Sequence, residues 1–142
     1  MTINQISIFL ENKYGKLNEV LSLLGDANIR IIAATVADTS EFGIMRMIVD
    51  NPQESYRILR DNNVSCHLGD VLALRTNSHA GSFAETIACF TKAGLSIEYM
   101  YCVSFNGKST LILRTNNREN AREVIRRNNL EYITEDDLIK LT

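Results

Sequence analysis

The chain repeats itself. Glu11–Ile31, reading ENKYGKLNEVLSLLGDANIRI, returns as Asn77–Ile97, NSHAGSFAETIACFTKAGLSI, at a constant offset of 66 positions that carries Gly15 onto Gly81. The two halves align without a gap, with identical pairs at Glu19/Glu85, Ala27/Ala93, Ile31/Ile97, Asn51/Asn117, Arg60/Arg126, Asn62/Asn128 and Asn63/Asn129. A duplication this regular requires both halves to fold alike, so a reading of one must serve for the other.

In the first half, Asn4–Leu10 alternates with the period of a half-buried strand: Ile6, Ile8 and Leu10 fall on one face, Gln5, Ser7 and Phe9 on the other. The pattern breaks at Asn12–Gly15. Leu17, Val20, Leu21 and Leu24 then recur at the spacing of a helical core stripe. Ile29–Val36 and Ile44–Val49 read as strands, Asn51-Pro52 as a capped helix start with Ser55, Ile58 and Leu59 inward, and Val64–His67 as a short strand. The second half follows in the same order: strand Val71–Thr76, helix Ser82–Ala93, strands Leu95–Ser104 and Ser109–Arg114, helix Asn117–Arg127, strand Leu130–Ile133. Ser82-Phe83-Ala84-Glu85 fits a capping box, and Glu135–Leu141 ends the chain as a short helical turn.

Each half is therefore β-α-β-β-α-β, placing domain boundaries at 1–69 and 70–142. Such a unit folds as a four-stranded antiparallel sheet with both helices on one face, the ferredoxin-like arrangement. Right-handed crossovers put strand two at a sheet edge, an apolar edge that needs cover. Pairing strand two of each half with the other predicts an α+β fold: one continuous eight-stranded antiparallel sheet with four helices on one face. A second chain stacked on the bare face makes a homodimer the expected assembly.

Charge and composition narrow the function. Fifteen basic and 17 acidic residues are well mixed, leaving no basic stripe for nucleic acid. No apolar run is long enough to span a bilayer, and the N-terminus lacks the pattern of a signal peptide. Cys66, Cys89 and Cys102 are odd in number and scattered, which points to free thiols in a reducing cytoplasm. Cys89 lies on the helix stripe and reads as a buried small hydrophobe. Cys66-His67 has no second pair at metal-ligand spacing, so neither a metal nor a cofactor is expected. The chain holds no Ser-His-Asp set, no placed Cys–His pair and no phosphate loop, so no enzyme is expected.

The segments Glu11–Leu17 with Ala27–Ile31, and Ser78–Phe83 with Ala93–Ile97, resemble the ACT domain, a small regulatory module that senses amino acids in biosynthetic enzymes. They are similar to its pattern Asn-x-Pro-Gly-x-Leu followed by Ala-Gly-hydrophobic-Asn-Ile. The likeness covers nearly the whole chain twice and is nearest to stand-alone tandem ACT proteins. The resemblance implies a non-catalytic sensor holding a free amino acid between domains, with a regulated enzyme or transcription factor as partner. One site would use Asn12, Tyr14, Gly15, Lys16 and Leu17 with Ser96 and Ile97. The other would use Ser78, His79, Ala80, Gly81, Ser82 and Phe83 with Arg30 and Ile31. The chain departs from the pattern where proline is replaced by Tyr14 and Ala80. The partner-strand asparagine is replaced by Arg30 and Ser96, and Asn12 has only Ser78 opposite it, so the first site is the better candidate.

Elementary chemistry points the same way. Amides at a helix head lack intrahelical partners and carry partial positive charge, so a carboxylate gains charge-assisted hydrogen bonds there. Glycine keeps a Cβ out of the ligand's path. Two other readings compete. A ligand-free interaction domain would have the same fold, with Gly15 and Gly81 as plain turn residues and Asn12 as a helix cap. An RNA-binding module would share the strand order, but the third strands GIMRMIVD and STLILRTN hold no aromatic for base stacking.

Overall fold

Of the 142 residues, the computed structural model describes 1–11, 15–38, 42–105 and 107–141. The elements run β1 (Thr2–Glu11), α1 (Lys16–Asp26), β2 (Ile31–Asp38), β3 (Phe42–Val49), α2 (Pro52–Asp61), β4 (Cys66–Thr76), α3 (Ser82–Lys92), β5 (Ile97–Phe105), β6 (Lys108–Thr115), α4 (Arg118–Arg127) and α5 (Glu135–Leu141). They divide between two compact units, Asn4–Gly69 and Met1–Ile3 with Asp70–Thr142. No helix among the described residues is long and apolar enough to cross a membrane.

The expected eight-stranded sheet with four helices is not what forms. The described residues form five helices and six strands, the strands in one sheet of order β2-β3-β1-β4-β6-β5. Two strands are lost for separate reasons. The segments read as Val64–His67 and Val71–Thr76 are one strand, β4, because Gly69 does not take a positive φ and the backbone stays extended through it. That strand serves two cores: Cys66 and Leu68 pack into the first unit's cluster, Leu72 and Leu74 into the second's. The segment read as Leu130–Ile133 makes a single bridge, Leu74 to Tyr132, with Arg75 N–H donating to Glu131 O at 2.9 Å and Ile133 N–H to Ala73 O at 2.8 Å. It goes no further because Thr134 at once begins α5. The expected pairing of the two second strands is also absent, since β2 and β5 stand at opposite ends of the strand order.

Within each unit the patterning acts as the periods require. Ile6 faces Met47 and Ile8 faces Met45 across β1 and β3; these, with Val20, Leu24 and Leu59, make one core. In the second unit Leu72 faces Leu113 and Leu74 faces Leu111, and Phe90, Val124 and Ile125 close over them. Asn51 and Asn117 cap α2 and α4, accepting from the Glu54 N–H at 3.3 Å and the Asn120 N–H at 3.1 Å. Helix exits turn on left-handed residues: Asn28, Asn63 and Asn129, with Gly94 in the place that matches Asn28.

Alternating with the core residue Leu111 along β6, Thr110 is fully buried and its hydroxyl has no hydrogen-bond partner among the described residues, whereas its counterpart in the first half is Ile44. Thr110→Val keeps the shape and removes a penalised hydroxyl. It is expected to raise the unfolding free energy by about 1–2 kcal/mol, read from the urea midpoint. A lowered midpoint would contradict this.

The short α5 is tied down by a reciprocal cap. Thr134 N–H donates to Asp137 Oδ2 at 2.9 Å, and Asp137 N–H donates to Thr134 Oγ1 at 3.2 Å. The bonds from Thr134, helped by the Lys140 and Arg75 cations, hold the Asp137 carboxyl below the usual range. A depressed folded pKa contributes stability that is present above the unfolded value of about 3.9 and lost as pH falls through the folded one. Melting temperature should therefore fall on acidification through the carboxylate range, and fall less in Asp137→Asn. Equal acid dependence in the two proteins would refute the assignment.

Candidate functional site

The two glycine turns sit where α1 and α3 begin. Gly15 has φ +84° and Gly81 φ +87°, left-handed conformations that a side chain resists. Each glycine is its helix's N-cap residue: Gly15 O accepts from Glu19 N–H and Gly81 O from Glu85 N–H, both at 3.0 Å. Neither cap glycine has a side chain to bond the first-turn amides, and among the described residues no side-chain cap bond is made at either helix. A Cβ built on either glycine would meet no atom within 4 Å. Conformation, not crowding, requires glycine at both positions.

The expected capping box does not form. Gly81 takes the cap position, and Ser82, already inside the helix and buried, turns its hydroxyl back to donate to Asn77 O at 2.6 Å. Glu85 instead sets its two carboxylate oxygens 3.2 Å from His79 Nε2. Ser82 N–H donates to His79 O at 3.2 Å, which folds the exposed Ser78–Ala80 segment over the helix head. Asn77, Ser78, His79, Gly81, Ser82 and Phe83 line a cleft of about 240 Å³ there. In the first unit Lys16 Nζ lies 3.5 Å from Glu19 Oε2, beside a cleft of about 300 Å³ that Lys16 shares with Leu10, Val20 and Phe42. Asn12 and Tyr14 lie outside the described residues.

Both core stripes open at their first turn. Val20 and Leu24 are buried, while Leu17 is 39% exposed; Phe90 is fully buried, while Phe83 is only partly so. Each turn thus has an accessible apolar side chain next to its amides. Cys89, read as buried, is partly exposed on α3 and donates weakly to Glu85 O at 3.5 Å.

The second-strand residues lie at the other end of the first helix in each unit. Arg30 and Ser96 are exposed; Ile31 and Ile97 are partly buried against their cores. An eleven-residue helix separates Gly15 from Arg30 and Gly81 from Ser96, about 16 Å of rise. No unit brings a turn together with its own second strand. Sequence reading missed how these strand starts are fixed. Arg30 N–H donates to Asp50 Oδ1 at 3.0 Å and Asp50 N–H to Arg30 O at 3.1 Å. The second unit repeats the clasp, Ser96 N–H to Asn116 Oδ1 at 3.1 Å and Asn116 N–H to Ser96 O at 3.3 Å. The signal was present: Asp50 and Asn116 are a polar pair at the repeat offset.

Chemically, the turns can receive an anion beside an apolar group. Among the described residues no three His, Cys, Asp or Glu side chains gather as a metal-binding group. Burial pushes the Cys66 thiol up, away from the thiolate that nucleophilic chemistry needs.

None of the curated proteins compared with the chain matches it. Solved structures do. Protein BT0572 from Bacteroides thetaiotaomicron is 34% identical, with a TM-score of 0.92 over 99% of this chain and 97% of that one. The ligand-free regulatory subunit of aspartate kinase from Thermus thermophilus is 16% identical, with a TM-score of 0.61 over 89% of this chain and 90% of that one. Aspartokinase III from E. coli, in complex with aspartate and ADP, is 18% identical, with a TM-score of 0.56 over 87% of this chain and 31% of that one. The last two are likenesses of fold alone. A family model described as an ACT domain pair matches residues 1–142, and the chain belongs to that family.

Proposed function

We propose that the chain is a non-catalytic regulatory sensor of a free amino acid, built of two ACT domains, 1–69 and 70–142. The ligand carboxylate sits against the first amides of α1 or α3 at the glycine turn. Its side chain meets Leu17 or Phe83, and the start of strand two of another ACT domain, Ser96-Ile97 or Arg30-Ile31, closes over it. Ligand binding shifts the population of domain arrangements that a regulated enzyme or transcription factor recognises. The protein works in a reducing cytoplasm, in keeping with three free cysteines.

The observation that carries this reading is the doubled helix head with a left-handed glycine at the cap and an accessible apolar residue in the first turn. The fold likeness to a regulatory subunit of aspartate kinase supports it. The two heads differ, one bearing Lys16–Glu19 and the other His79–Glu85, so the two sites have unequal affinities. Calorimetric titration of the purified full chain with each of the twenty amino acids should give binding by at least one. Silence across all twenty would leave a pure interaction domain and overturn the proposal.

A further inference from the structure

We infer that the first site takes an aromatic amino acid and that Phe9 and Phe42 select it. This rests on the sensor reading above and names the ligand class of one of its two sites. The cleft of about 300 Å³ beside the head of α1 is lined by Phe9 and Leu10 of β1, Val20 of α1, Phe42 of β3 and Val64. Leu10 and Val20 belong to the first unit's core and are held in place by it, whereas Phe9 is 49% exposed and Phe42 53% exposed. The register sets Phe9 opposite Ile44 and Phe42 opposite Glu11, which makes the two aromatics diagonal neighbours on one face of the β1–β3 ladder. Such neighbours stand about 7–8 Å apart, close enough for one inserted ring to reach both. Ring against ring adds to the apolar area buried, a gain that an aliphatic side chain does not make. Lys16 and Glu19 line the same cleft, 3.5 Å apart, and offer a zwitterion one charge of each sign.

The duplication supplies an internal control. At the repeat offset Phe9, Val20 and Phe42 become Arg75, Thr86 and Lys108, and Ser65 becomes Glu131. Arg75 Nη1 lies 3.4 Å from Glu131 Oε1, so an ion pair stands in the second unit where the first has an aromatic wall. The strands carrying these residues pair antiparallel in both units, β1 with β3 and β4 with β6. The fold therefore does not call for phenylalanine at either position; the first half alone carries it. The cleft at the head of α3 is lined instead by Asn77, Ser78, His79, Ser82 and Ser109, with Phe83 as its one aromatic carbocycle. Selection for a ring by a pair of phenylalanines belongs to the first site.

Titration of the full chain with L-phenylalanine, L-leucine and L-alanine tests this. L-Phenylalanine should bind at least about 30-fold more tightly than L-alanine, the yield of burying an aromatic side chain, and more tightly than L-leucine. Phe9→Arg with Phe42→Lys, the residues of the second half, should abolish that preference with the circular dichroism unchanged. Phe9→Leu with Phe42→Leu keeps the cleft apolar but removes the rings, and should bring L-phenylalanine and L-leucine to like affinity even if the charged pair unfolds the chain. Amino acids bound with no preference for a ring, or a preference that survives the leucine pair, would overturn the inference and leave the sensor reading standing. No heat with any of the twenty would bring down both.

Discussion

Phe90→Ala should lower the unfolding free energy by about 3–5 kcal/mol, the cost of emptying a fully buried aromatic site. Phe90 is the largest of the fully buried side chains and fastens α3 to Leu72, Leu74, Leu111 and Leu113. Its neighbours stand on different strands and α4, so they cannot move in together to refill the space. The effect should appear as a lower urea midpoint with an unchanged slope. Its counterpart Leu24, equally buried beneath α1, should cost about 2–5 kcal/mol on truncation to alanine. The head of α3 holds the Gly81 turn, so Phe90→Ala should also loosen that site. A loss below about 1 kcal/mol would mean that α3 does not depend on this anchor.

Gly15→Val should remove amino-acid binding at the first site. A β-branched residue cannot hold φ near +84° without strain of about 1–3 kcal/mol, so the turn refolds and the amides of α1 lose their aim. Losing two charge-assisted hydrogen bonds corresponds to an affinity drop of at least about 100-fold. Gly81→Val should do the same at the second site. The two variants should each leave one class of site in the titration, and the double variant none. A double variant that binds like the wild type would place the ligand elsewhere, while its circular dichroism separates lost binding from lost fold.

Much of the fold could be read from local pattern, because the determining contacts are short in sequence. The stripe Leu17–Val20–Leu21–Leu24 and the positive-φ glycine turns are set by neighbours a few residues apart. The failures all involve partners far along the chain. Gly69-Asp70 looks like a break by composition, yet Cys66, Leu68, Leu72 and Leu74 keep one face inward through it and so extend a single strand. Pairing between the second strands depended on which edges meet, and periodicity carries no information about that. The Ser82–Glu85 capping box failed because Gly81 already holds the cap position, leaving Ser82 to bond to Asn77 and Glu85 to His79. β3 begins two residues earlier than the strand read as Ile44–Val49, so Phe42 enters it.

The strand Cys66–Thr76 has no linker at the midpoint of the repeat: its first four residues belong to one unit and the remainder to the other. β1 is divided in the same way, with Thr2 and Ile3 counted with the second unit. The boundary between the repeats therefore falls inside a strand. A chain severed between Gly69 and Asp70 would part that strand rather than a tether.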